Sequence, residues 1–188
     1  LPMVLWAWDA SELFSPLARL SAVRQIIASS VPIASRLPAN APTPVTVIHP
    51  GAYAEDSIAC FDVAGQLPCL VSLDPLADRA AYEALIRACR MLADDQQDFL
   101  LFAYDTGPAE YAIWRVAETL HILDRFSFVP YQHDTQPLLL HGDLYIHILP
   151  ASRVQYRTLE AMAHGLAVVT TPNHAADYLL DNKTCRIV

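Results

Sequence analysis

Leu159-Glu160-Ala161-Met162-Ala163-His164-Gly165-Leu166-Ala167-Val168-Val169-Thr170-Thr171 reads as a helix, a tight turn and a strand in one short stretch. Small and long apolar residues surround Glu160 and favour a helix. Gly165 ends it, because glycine takes the left-handed conformation that closes a helix at no steric cost. The β-branched run Val168 to Thr171 then predicts a buried strand. A carboxylate at such a joint is an acceptor-only group, well placed to take hydrogen bonds from a sugar diol.

The rest of the chain repeats this rhythm. Strand-length apolar runs lie at Pro2–Trp8, Gln25–Ala28, Val45–His49, Cys69–Leu73, Phe99–Tyr104, Phe126–Val129, Leu144–Leu149, Ala167–Thr171 and Cys185–Val188. Helical patterns lie between them. Leu85, Ile86, Cys89 and Met91 form one apolar stripe in Tyr82–Met91, and Ile113, Val116, Ala117, Leu120 and Leu123 another in Ala109–Leu123. A third helix is expected over Tyr156–His164. Alternating strands and helices predict an α/β doubly wound, Rossmann-like parallel sheet. Pro32, Pro38, Pro42, Pro44 and Pro50 crowd one stretch, which reads as a linker. A boundary is therefore expected near His49-Pro50-Gly51. Residues 1–49 form a short leading segment with the linker, and residues 50–188 a compact α/β domain.

Composition narrows the function. The chain has 188 residues, 54% hydrophobic and 17% charged, which predicts a large core rather than disorder. The net charge of −8 argues against a broad nucleic-acid surface. No apolar run reaches membrane-span length. The apolar opening has no basic region or cleavage site, so it reads as a strand rather than a signal peptide. Cys60, Cys69, Cys89 and Cys185 show no C-x-x-C spacing and read as buried thiols of a reducing cytoplasm. His141, His164 and His174 match no metal-ligand spacing. His147, alternating with Leu144, Ile146 and Ile148, reads as a hydrogen-bonded sheet histidine rather than a catalyst. Five glycines and no G-x-G give no support to a dinucleotide or Walker-type phosphate loop.

Several segments, in order, resemble the nucleotide-sugar half of retaining GT-B glycosyltransferases of the family 4 (group 1) type. Leu159–Val169 resembles the signature E-A-(small)-A-x-G-(apolar)-P-V-V, with Ala167 in place of proline. Val45–Gly51 resembles the entry into the second domain, and Leu70–Leu73 that domain's first strand. Phe102–Pro108 resembles a strand ending in G-x-G-P, and Phe126–Pro130 the "V-x-F-x-G" strand. Gly142–Pro150 resembles "A-D-(apolar)-x-(apolar)-x-P-S". Asn173–Asp181 resembles a closing turn and helix, with Asp177 in a glutamate's place. Residues 1–44 look more loosely like the tail of an acceptor-binding domain.

The resemblance implies a metal-independent hexosyltransferase-like reaction without a cofactor. A sugar would pass from a nucleotide-diphosphate donor to a hydroxyl acceptor with retention. Glu160 would hold the donor ribose, and backbone N–H groups near Ser152 to Val154 would face the diphosphate. Apart from the resemblance, Gly107 lies in the turn Asp105–Pro108 at a strand's carboxyl end, which reads either as lining a ligand crevice or as a plain turn. The family's first-strand arginine is replaced by Ser72, and its lysine is missing. Arg153, with Arg79, would supply that charge. Arg157, four residues after Arg153, reads first as part of an exposed helix face. The family's other glutamate is replaced by Ser152. The implied partners are a nucleotide-sugar, a carbohydrate or lipid-linked acceptor, and an acceptor-binding domain or a second copy. The implied location is the cytoplasm or the inner membrane surface. Four losses, of that arginine, the lysine, the glutamate and the glycine turn now reading Ser152-Arg153-Val154-Gln155, leave a second reading open: a degenerate GT-B-like domain serving nucleotide binding, scaffolding or oligomerisation. A receiver-like domain is the weaker third reading, since Asp9 and Asp105 do not make its acidic set.

Overall fold

The structure, a computed structural model, describes residues 2–9, 22–36, 43–53, 65–104, 107–130, 135–149 and 153–188. Its elements along the chain are β1 (Met3–Ala7), β2 (Val23–Ala28), α1 (Val31–Ala34), β3 (Val45–Val47), β4 (Cys69–Ser72), α2 (Arg79–Asp94), β5 (Leu100–Tyr104), α3 (Glu110–Thr119), β6 (Phe126–Val129), α4 (Gln136–Leu140), β7 (Leu144–His147), α5 (Tyr156–Ala163), β8 (Ala167–Thr170) and β9 (Arg186–Ile187). The chain packs as two units. The first holds residues 1–52, 150–156 and 172–187; the second holds 53–149, 157–171 and 188.

In the second unit the strands run in the order β6-β5-β4-β7-β8, and every pairing is parallel. The parallel sheet expected from the alternating pattern is present, built from the runs at Leu70–Leu73, Leu100–Tyr104, Phe126–Val129, Leu144–Leu149 and Ala167–Thr170. The central strand β4 is buried along its whole length, which is why Cys69–Ser72 reads as a nearly continuous apolar run. One core gathers Leu70, Leu76, Tyr82, Ile86, Leu101, Ile113, Ile122 and Ile146. Helix α2 turns Tyr82, Leu85, Ile86 and Cys89 inward, and its N-cap Asp78 accepts from the Ala81 N–H at 3.1 Å. Burial pushes the Cys89 thiol up to about 12. Asp143 fastens the strand starts: its carboxylate accepts from the Cys69 N–H at 2.7 Å, and its carbonyl from the Ala167 N–H at 3.1 Å. Gly165 closes α5 at φ +76°, with its N–H on the Met162 carbonyl.

The first unit contains a three-stranded parallel sheet in the order β1-β2-β3. The Trp6 and Trp8 rings stack with centroids 5.6 Å apart, and the Trp6 indole N–H donates to Ser29 Oγ at 2.9 Å. Two expectations change here. The proline-rich stretch begins with helix α1, because Pro32 sits in its first turn and Ser30 caps it. Asn173–Asp181 forms turns, not a helix. Asn173 Oδ1 accepts from the Ala175 N–H at 3.0 Å, and the Asp177 carboxylate is tied to the Val31 N–H and His49 Nε2 at 3.0 and 2.9 Å. These bonds hold the backbone in turns and compete with a helical ladder.

Among the described residues, no helix is long and apolar enough to cross a membrane.

Candidate functional site

The second unit's strand order dictates where a ligand would sit. From β4 the chain winds outward through β5 and β6, then returns to the other side of β4 for β7 and β8. Open α/β sheets bind ligands at such a reversal, outside the carboxyl ends of the strands. Here that place is the exit of β4, at Leu73 and Asp74, beside the exit of β7, at His147 and Ile148.

Side chains from three other elements converge on the β4 exit. Arg157, in the first turn of α5, donates from one guanidinium nitrogen to the Leu73 carbonyl at 2.7 Å. Its guanidinium lies over the Tyr104 ring at the end of β5. From α2, the Tyr82 hydroxyl donates to the Asp74 carbonyl at 2.6 Å. From β7, His147 Nδ1 lies 2.7 Å from Asp74 Oδ1, while the Ile148 N–H donates to Asp74 Oδ2 at 2.9 Å. Asp74, Tyr82, Tyr104 and His147 are buried, Arg157 is half-buried, and the group shares one electrostatic environment. Burial raises the Tyr145 hydroxyl well above the usual tyrosine range; Asp74 adds to the rise and Arg157 opposes it.

The sequence-derived site residues divide between the units. Glu160 is half-buried on α5, one turn beyond Arg157, and its carbonyl accepts from His164 Nδ1 at 2.8 Å. Gly107, also in the second unit, has φ +149°. A Cβ there would stand 2.4 Å from the Leu76 carbonyl oxygen, so this glycine is required by the packing of two backbones. Arg79 is exposed on α2, with Nε 2.6 Å from Glu83 Oε1. Arg153 and Val154 belong to the first unit. Arg153 is exposed and bridges Asp9 through the backbone, its carbonyl accepting from Asn173 Nδ2 at 3.0 Å. The Val154 N–H donates to the Trp8 carbonyl at 3.2 Å. Ser152 and Asp105 lie outside the described residues. Ser72, where the resemblance expected arginine, is fully buried, close to the Tyr82 hydroxyl.

Sequence reasoning passed over Asp74 and took Arg157 for an exposed residue. A faint signal existed for each. Asp74 follows the apolar Leu70–Leu73 run directly, and Arg157 lies three residues before Glu160 on one helix face.

Residues 69–188 match the family model described as glycosyl transferases group 1. The chain belongs to this family. No curated protein matches it in sequence. Among solved structures, this group 1 glycosyltransferase chain is similar to a glycosyltransferase from Rickettsia africae ESF-5, at 15% identity and TM-score 0.68, covering 88% of this chain and 49% of that one. It is similar to WaaG, a glycosyltransferase involved in lipopolysaccharide biosynthesis, at 18% identity and TM-score 0.63, covering 91% and 57%. It is also similar to the pneumococcal O-GlcNAc transferase GtfA, at 11% identity and TM-score 0.70, covering 97% and 40%. At these identities the likeness establishes the fold, one half of a GT-B architecture. The group 1 chain spans about half the length of these structures.

Proposed function

We propose that this group 1 glycosyltransferase chain is the donor-binding half of a hexosyltransferase. It takes a sugar from a nucleotide-diphosphate donor and passes it, with retention, to a hydroxyl of a carbohydrate or lipid-linked acceptor. Residues 50–188 form the nucleotide-sugar-binding domain, and residues 1–49 are the remnant of an acceptor-side domain. The work takes place in the cytoplasm or at the inner membrane surface. The observation that carries this reading is the pairing of Arg157 and Glu160 on one helix, with Arg157 at the strand reversal. A guanidinium suits a diphosphate, and a carboxylate one turn away suits the ribose diol. The group 1 family supports the reaction class, and the pneumococcal GtfA structure, in complex with UDP and GlcNAc, supports the donor class.

The buried Ser72 in place of an arginine, and an Arg79 already paired with Glu83, favour a second reading, a degenerate scaffold. Calorimetry with UDP, GDP and ADP separates the two. Binding of one of them, weakened by ~1.5–3 kcal/mol in Glu160→Ala, supports the donor site. No heat with any of them favours the scaffold.

A further inference from the structure

The Asp74–His147 pair spans the strand reversal and is not absorbed by the reading above. Asp74 is a buried carboxylate that accepts twice, from the His147 ring and from the Ile148 N–H. An ionised carboxylate there only accepts, so His147 Nδ1 carries a ring proton, and in the neutral ring Nε2 then presents a lone pair. His147 is 2% exposed, and its Nε2 has no hydrogen-bond partner among the described residues. Leaving a buried acceptor unpaired costs roughly 1–3 kcal/mol. The ring is therefore held in one orientation with an unmet demand for a donor.

We infer that His147 is a specificity-determining residue whose Nε2 accepts a hydrogen bond from a hydroxyl of the donor's sugar. This rests on the donor-site reading. The order of contacts supports it. Glu160 and Arg157 lie one turn apart on α5, Arg157 touches Leu73, and the next residue, Asp74, holds His147. With the ribose at Glu160 and the diphosphate at Arg157, the sugar is the part of the donor left for the β7 exit. Chemistry points the same way: a lone pair needs a donor, a sugar hydroxyl is one, and an ionised diphosphate is not. It also explains how the chain manages with Ser152 where the resemblance placed a glutamate over the donor sugar.

His147→Asn is the discriminating variant. The asparagine amide can still donate to Asp74, but the Nε2 acceptor is gone. The probes are UDP, GDP and ADP with UDP-glucose, GDP-mannose and ADP-glucose, measured by calorimetry on the whole chain. In the wild type, one sugar nucleotide should bind more tightly than its diphosphate. In His147→Asn that advantage should fall about three- to tenfold, with diphosphate affinity unchanged. On the wild type, the nitrogen-15 signal of the buried Nε2 should move with the sugar nucleotide and not with the diphosphate, a readout that holds even if the variant fails to fold. An unchanged advantage, or a still signal, overturns the inference and leaves the donor site standing. An equal loss for diphosphate and sugar nucleotide also overturns it and assigns the ring to the phosphates. A wild type that binds none of the probes overturns the donor-site reading and this inference together.

Discussion

The guanidinium carbon of Arg157 stands 5.0 Å from the centroid of the Tyr104 ring. The two residues come from the start of α5 and the end of β5. A guanidinium held against an aromatic face and bonded to the Leu73 carbonyl has given up much of its rotamer freedom before any ligand arrives. Such a cation spends little further entropy when it meets an anion.

Arg157→Ala should therefore remove most of the preference for a nucleoside diphosphate over its nucleoside, a loss of ~1.5–3 kcal/mol for hydrogen bonds to a charged group. Arg157→Lys should recover only part of it, because an ammonium neither forks nor stacks on Tyr104. Calorimetry with both ligands reads the effect. Equal weakening of nucleoside and diphosphate would count against a phosphate role.

Glu160 should tell a diol from its absence. The wild type should prefer a nucleoside diphosphate over the 2′,3′-dideoxy analogue, and Glu160→Ala should bind the two alike. Competition titration measures this. A variant that keeps the preference would separate Glu160 from the ribose.

Gly107→Ala should destabilise the second unit by ~2–4 kcal/mol, combining backbone strain with overpacking. The added Cβ meets the Leu76 carbonyl oxygen at 2.4 Å, and that carbonyl also accepts from the Ala109 N–H. Urea titration followed by circular dichroism would reveal the loss. A variant as stable as the wild type would show that this turn yields easily.

Acid should loosen the first unit through Asp177. Burial alone would raise this carboxyl, but the His49 ring and the Val31 N–H outweigh it and hold it below the ordinary carboxylate value. A folded-state value below the unfolded one contributes stability above about pH 4, and that stability is lost as pH falls through the lowered value. Asp177→Asn should accordingly be less stable than the wild type at neutral pH. The gap should narrow as the pH falls below about 4, the ordinary carboxylate value, and through the lowered one. Denaturant midpoints across that range test it, and parallel curves for the two proteins would assign no linkage to this contact.

The strands and main helices were legible because their signals are local. Val168–Thr170 is β-branched in a row, the composition a strand favours, and Gly165 supplies the left-handed turn that ends α5. What escaped depended on distant partners. Pro32 suggested a linker, but a serine cap and a proline in the first turn also start a helix. Asn173–Asp181 lost its expected helix to bonds from Val31 and His49, more than a hundred positions away. Arg157 read as surface because periodicity gives a helix face but not what that face meets. The carbonyl of Leu73 and the ring of Tyr104 arrive beside it only when the sheet assembles.

The stacked indoles of Trp6 and Trp8 make the first unit optically distinct. The protein has three tryptophans, and the third, Trp114, lies on α3 in the second unit. Two stacked indoles with centroids 5.6 Å apart couple their transitions, whereas Trp114 emits from a different surrounding. With Trp114→Phe, the remaining fluorescence reports the first unit alone; with Trp6 and Trp8 both replaced by phenylalanine, it reports the second. The chain thus carries separate optical labels for its two halves, and melting either one can be followed without attaching a dye.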